Sequence, residues 1–195
     1  MDSTTFKAWA NGAKNFKVDP QAGWSVKKGT QGKQEFTFGW KLHLLVDAES
    51  ELPISANVTA GNVHDSQRAT NLLSEARFTY RRFKPRYVIG DKGYSGRKLA
   101  RDIREHYHAV PIIQTNPAHK KLMAKNSAAE ASVGWKALYR QRTAIERVNS
   151  RLKGQHSLNR LTLRRRMKVT AHAYLSLIAL QVLAIGSLSD RKPIL

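Results

Sequence analysis

From Glu35 to Val46 the chain alternates: Phe36, Phe38, Trp40, Leu42, Leu44 and Val46 fall on one side, with Thr37, Lys41 and His43 on the other. A period of two held over such a run predicts a half-buried strand. After the polar link Asp47 to Glu51, a second run, Leu52 to Thr59, can return beside it as a hairpin. Ala60-Gly61-Asn62 breaks the pattern, and Ser66 is expected to cap a helix running to about Ala76 that turns Leu72 and Leu73 inward. Pro85 precedes a short strand, Arg86 to Gly90, apolar in Tyr87, Val88 and Ile89, which delivers Asp91 at its carboxyl end. A helix from Ser95 or Gly96 to about Glu105 and a strand from Ala109 to Ile113 follow.

The stretch Tyr139 to Gly154 has no Pro or Gly before its last residue and predicts one helix of about four turns. At 100° per residue, Tyr139, Arg142, Glu146 and Lys153 share a face, Ala144, Ile145, Val148 and Leu152 the opposite one, and Arg140, Arg147 and Arg151 a stripe between. Val169 to Leu188 is the most apolar segment, but His172, Ser176, Gln181 and Ser187 interrupt it, which predicts a buried helix rather than a membrane span. Residues 10–34 read as a long basic loop and 114–134 as polar and unpatterned. Strand, strand, helix, strand, helix, strand and long helix call for one α/β domain over 1–195, a mixed sheet flanked by helices.

Composition adds a partner. With 34 Lys and Arg against 14 Asp and Glu, the formal charge is +20, which points to a polyanion and first of all to nucleic acid. Charge alone leaves an enzyme and a passive binder equally open. From Lys136 to Lys168 eleven cations meet one carboxylate, Glu146, and Arg164-Arg165-Arg166 marks a phosphate-facing turn. Absence of Cys removes disulfides and thiolate metal sites and suits a reducing compartment. No signal peptide is read at the start, and no membrane is called for.

The order Y-x2-R-x3-E-x6-K, here Tyr139, Arg142, Glu146 and Lys153, resembles the signature of bacterial insertion-sequence transposases with an Asp-Asp-Glu triad. DSTTFKAWANG from Asp2, FGWKLHLLVD from Phe38, GNVHDS from Gly61 and VIGDKGYSG around Asp91 fall in the same order as in that family, so the resemblance spans about residues 2–187. It implies a ribonuclease H-like fold and a DNA transposase that cleaves and transfers strands in cut-and-paste transposition of an insertion sequence. It also implies double-stranded DNA (transposon ends and target) as substrate, a homodimer in the active complex, and a bacterial, nucleoid-associated place in the cytoplasm. Asp2, Asp91 and Glu146 match the three catalytic acids, which would hold two Mg²⁺ ions, with Mn²⁺ as the alternative. Tyr139, Arg142, Lys153, Arg147, Arg151, Arg164, Arg165 and Arg166 are the expected DNA contacts.

Other assignments compete. Asp91 can be read as a turn residue, Asp65 as the cap of the helix near Ser66, and His43, His106 and His108 as surface or hydrogen-bonding residues rather than ligands. Trp40 is expected in the core, while Trp9, Trp24 and Trp135 stay unassigned. In the family the first acid ends a central strand, yet only Met1 precedes Asp2, so that strand is expected to be largely missing. The chain is therefore expected to be marginally folded and catalytically silent, with about ten upstream residues restoring both. A DNA-binding remnant and a stand-alone ribonuclease H-type nuclease remain as alternatives.

Overall fold

The computed structural model describes residues 1–10, 19–28, 32–118 and 120–189, the side chains of 28, 120–125 and 187–189 excepted. Its strands are β1 (Asp2–Lys7), β2 (Gly23–Lys28), β3 (Gln34–Val46), β4 (Pro53–Ala60), β5 (Tyr87–Gly90) and β6 (Val110–Ile113). Its helices are α1 (Ser66–Thr79), α2 (Arg97–Tyr107), α3 (Lys120–Ala131), α4 (Val133–Arg140), α5 (Thr143–Gly154) and α6 (Arg166–Ser189).

The alternating strand β3 is the spine. One of its faces sends Trp40, Leu42 and Leu44 into a core shared with Phe6, Val58, and α5 and α6 through Ile145, Val148, Leu152, Val169, Ala173 and Leu177. On the other face Leu45 joins a second core with Met1, α1, α2 and β5. Burying both faces yields a three-layer mixed α/β domain, as a helix-flanked sheet requires. The alternation does not stay buried to its end: Phe36 is 60 % exposed, because the outer half of β3 runs past the core and pairs only with β2.

Over Trp40–Leu44, β3 is flanked antiparallel by β1 on one edge and β4 on the other. The expectation of a missing first strand is thus corrected in part. Asp2 begins a strand that pairs with β3 from Asp2 opposite Leu44 to Lys7 opposite Gly39. Thr4 and Phe6 are buried on its inner face, so the pleat supplies what looked like a polar start. Gly39 allows this close pairing, since a Cβ there would stand 2.1 Å from the Phe6 carbonyl oxygen. β5 and β6 form a separate parallel pair joined through α2, and the Met1 amine donates to the Ile89 carbonyl of β5 at 2.6 Å.

Further expectations shift. Of the basic loop 10–34, Gly23–Lys28 is the strand β2, while residues 11–18 and 29–31 lie outside the described residues. The unpatterned stretch 114–134 contains α3, a helix of good Ala and Lys propensity with no apolar stripe to announce it. α6 is only half-buried: Val169, Ala173, Leu177 and Leu180 face the core, while Leu175, Ile178, Val182 and Ile185 are exposed. It is long and apolar enough to cross a membrane by length and composition. The single helix expected over 139–154 is two, broken at Gln141 and Arg142. There the Thr143 hydroxyl donates to the Arg140 carbonyl at 3.1 Å, a local bond that competes with the continuing helical ladder.

Candidate active site

Three elements bring acids to one end of the sheet. Asp2 opens β1 on the side facing α5, where its Oδ2 accepts from Asn149 Nδ2 at 3.3 Å. Burial pushes its carboxyl above the usual range and the charge of Asp91 adds to this, against the backbone bond from Ser3, the chain's amino group and Arg142. Asp91 follows β5 and caps the short 3-10 turn Lys92–Tyr94, its Oδ1 accepting from the Gly93 amide at 2.7 Å. The turn reading of Asp91 is thus observed directly. A Cβ at Gly93 would stand 2.9 Å from Asp91 Oδ1, so a side chain there would push that carboxylate aside.

Glu146 lies in the first turn of α5 and is turned toward Arg142, whose Nη2 donates to it at 2.6 Å. Burial works against the Arg142 charge, but Glu146, Tyr139 and Asp2 together outweigh it and its pKa rises. The same guanidinium lies 5.8 Å from the Tyr139 ring centre, and that ring stacks on Trp135 at 4.9 Å and 13°. The Tyr139 hydroxyl donates to Gln114 Oε1 at 3.2 Å. Its pKa is raised by burial, with Asp91 and Glu146 adding and Arg142 opposing, so this ring lies in the field of both acids. Lys153 is lowered by burial and by Lys27, with Asp2 opposing. The break between α4 and α5 thus leaves Tyr139, Arg142 and Glu146 adjacent, although they no longer share one helix.

Asp2 and Asp91 line one cleft of about 540 Å³ together with Asp65, Lys41, Lys27 and Trp24. Among the described residues, no three His, Asp or Glu side chains stand close enough to form a metal-binding group. Glu146 is paired with Arg142 and is not among the residues that line this cleft.

Sequence reasoning missed the polar network beneath this cleft. Asp65 stands at the start of α1 but makes no side-chain cap bond; its Oδ1 accepts from Ser3 Oγ at 2.8 Å and Lys41 Nζ at 3.0 Å. His43 is fully buried rather than at the surface, bonded to Thr59 Oγ1 at 2.9 Å, and burial lowers its pKa to about 4. Tyr94 is also fully buried, and its hydroxyl has no hydrogen-bond partner among the described residues. Burial raises its pKa, and Asp65, Asp2 and Asp91 add to the shift, which puts this orphaned hydroxyl in the field of all three aspartates. The one available signal was Lys41 and His43 on the polar side of an otherwise buried strand.

The expected DNA contacts divide. Arg147 Nε donates to Glu51 Oε1 at 2.5 Å, and Arg151 Nη2 donates to Glu51 Oε2, so this stripe is paired within the fold. The run Arg164 to Arg166 is exposed ahead of α6, its backbone pinned by Asp19 and Gln21.

Residues 1–182 match the family model described as Transposase DDE domain. The chain belongs to that family. A transposase domain of this family is an enzyme of the nuclease and strand-transfer type that acts on DNA, and such domains typically use a divalent metal. No curated protein and no solved structure gives a match.

Proposed function

We propose that this DDE transposase domain cleaves and rejoins DNA during cut-and-paste transposition of a bacterial insertion sequence, with Asp2, Asp91 and Glu146 as its catalytic acids. The observation that carries this reading is the convergence of Asp2 from β1 and Asp91 from β5 on one cleft. Their donor set fits a hard divalent cation such as Mg²⁺ or Mn²⁺: half-buried carboxylates in each other's field, with the unpartnered Tyr94 hydroxyl in the same field. Two such ions, when bound, supply an activated oxygen nucleophile and stabilise the leaving oxygen. Glu146 would join the aspartates on release from Arg142, and the freed guanidinium, with Lys153, would take up backbone phosphates. The substrate is duplex DNA at transposon ends and target, engaged by a homodimer on the bacterial nucleoid in the cytoplasm, and no membrane enters the reading. The sheet with helices on both faces supports the ribonuclease H-like assignment.

A second reading, a DNA-binding remnant without catalysis, draws on the Arg142–Glu146 pair and on the absence, among the described residues, of a three-acid group. Supercoiled plasmid and labelled duplex with Mg²⁺ decide between them. The proposal expects nicking and joining by the chain, with Glu146→Gln and Asp91→Asn each losing at least 100-fold of the nicking while DNA affinity stays within about threefold, since each removes a donor and leaves the cations. Cleavage without joining would point to a stand-alone nuclease, and binding without cleavage to the remnant.

A further inference from the structure

Glu51 is an acid that the proposed chemistry leaves unused, yet it is held under unusual constraint. Its φ is +58°, in the left-handed region that residues with side chains rarely occupy outside functional or over-determined positions. The turn carrying it is fixed by Asp47, whose Oδ2 accepts from the Ser50 amide at 2.8 Å and the Ser50 hydroxyl at 2.7 Å. Two backbone bonds add to this, Asp47 N to the Leu52 carbonyl and Glu51 N to the Asp47 carbonyl, each at 3.0 Å. From this rigid mount the Glu51 carboxylate receives Arg147 and Arg151, one turn apart on α5 and about a hundred residues away in sequence. Arg147 directly follows Glu146 on that helix, so the two guanidiniums fix which way α5 is rotated.

The two sides of α5 are held very differently. On the Glu51 side, one carboxylate, 23 % exposed and carried on an ordered turn, accepts two charge-assisted bonds, from Arg147 and Arg151 of α5, which are themselves 56 % and 38 % exposed. On the other side Glu146 has a single i,i+4 partner, and its side chain is 47 % exposed, so solvent and salt weaken that pair. A helix clamped on one stripe can exchange the partner of its acid on the other without turning.

We propose that Glu51 is a positioning residue that sets the rotation of α5 and so the direction of Glu146, with Arg147 and Arg151 as its anchors and not as phosphate contacts. The inference rests on the catalytic reading of Glu146, but its two parts are read by separate measurements. The first uses a 30-base-pair duplex of arbitrary sequence, the whole chain, and a salt series. A residue that neutralises one phosphate contributes about one to the slope of log K against log salt. Arg147→Ala and Arg151→Ala should leave that slope unchanged; a drop of about one for either overturns their assignment as anchors. The second is Mg²⁺-dependent nicking by Glu51→Gln, with Glu49→Gln, an exposed neighbour in the same link, as the control for the lost charge.

Glu51→Gln is expected to nick at least tenfold more slowly and to need at least threefold more Mg²⁺ for half-maximal rate, with duplex affinity not reduced. A merely destabilised fold would lower the amount of active protein without moving the Mg²⁺ dependence, and that result overturns the proposal. Glu51→Gly removes the carboxylate while easing the left-handed backbone, so it gives the same test should the glutamine variant fold poorly. A parent chain that binds DNA but never nicks would sink the catalytic reading, while the salt slopes still decide the anchors.

Discussion

β1 stops pairing at Leu44, so on that edge Leu45 and Val46 of β3 meet no strand among the described residues, and β5 has β6 on one side only. Between these edges lies a trough of about 560 Å³ lined by Met1, Leu45, Val46, Ile54, Tyr87 and Ile89, bridged by the bond from the Met1 amine to the Ile89 carbonyl. Joining four extended residues ahead of Met1, alternating Val, Ile and Thr, would lay a strand in this trough and link the two sheets. Two inward side chains contribute about 2 kcal/mol each. About four backbone hydrogen bonds add about 1 kcal/mol each. Ordering four residues opposes this by about 1–2 kcal/mol per residue, which leaves about 2 kcal/mol. At about 2–4 °C per kcal/mol for a chain of this size, the melting temperature should rise by roughly 4–8 °C.

The amine gives this prediction a second signature. Burial lowers the Met1 amine from 8.0 to about 6, with Asp2 and Asp91 opposing and Arg142 adding. A base whose folded pKa is depressed costs the fold stability wherever the unfolded chain binds the extra proton, so stability is complete above pH 8 and is lost as the pH falls through 8 to 6. A shift of that size is worth about 3 kcal/mol. An extension of any sequence turns the amine into an amide and removes this slope. The assay is a thermal melt at pH 5.5, 7 and 8.5 of the chain, the apolar extension and a Gly-Ser extension of equal length. Both extensions should flatten the pH dependence relative to the parent, and only the apolar one should raise the melting temperature at pH 8.5. Equal melting temperatures for the two extensions would refute the strand-shaped trough, and an unchanged pH slope would refute the buried amine.

Arg142→Ala and Lys153→Ala should each reduce the salt slope of duplex binding by about one, as judged by fluorescence anisotropy, and unchanged slopes would remove them from the DNA surface. His43, lowered to about 4 chiefly by burial, should remain neutral at pH 5.5 in an NMR titration; since the unfolded imidazole protonates near 6.5, its contribution to stability is lost as the pH falls from 6.5 to 4. Leu152→Ala, at a fully buried position under β3, should destabilise by about 2–5 kcal/mol in urea melts, and a loss below about 1 kcal/mol would mean that α5 does not pack there.

β3, β4 and the start of α1 could be read to within a residue because one face of each is apolar and the period declares the element. β1 and β2 could not, for a common reason. Ser3, Thr4 and Thr5 offer no apolar side to mark a period, and β2 carries only Trp24 and Val26, 45 % and 53 % exposed, a run too short to declare an alternation. Each becomes a strand by pairing with β3, a long-range event that no local window records. α3 fails in the opposite way, having the propensity of a helix without the stripe that marks one.

The site follows the same division. Motifs that keep order along the chain single out Asp2, Asp91 and Glu146 as candidates, but the polar surroundings of the cleft are joined from elements far apart in sequence. Ser3 and Asp65 are 62 residues apart, Asp2 and Asn149 147 residues apart. The decisive case is the arginine stripe of α5. A helical wheel correctly separates Arg147 and Arg151 from the core face, and it then gives them to DNA because an unpaired cation on a basic surface has no other use. The pairing with Glu51 supports the anchor role proposed above instead, and Glu51 sits in a turn whose sequence, Asp47 to Leu52, contains three acids with nothing local to distinguish them. It stands apart only in the fold, by its left-handed backbone and by the two α5 guanidiniums that its carboxylate accepts. Charge count therefore fixes how strongly this chain is drawn to a polyanion, while the pairing of individual charges, which the fold alone decides, fixes which face of α5 is left to meet it.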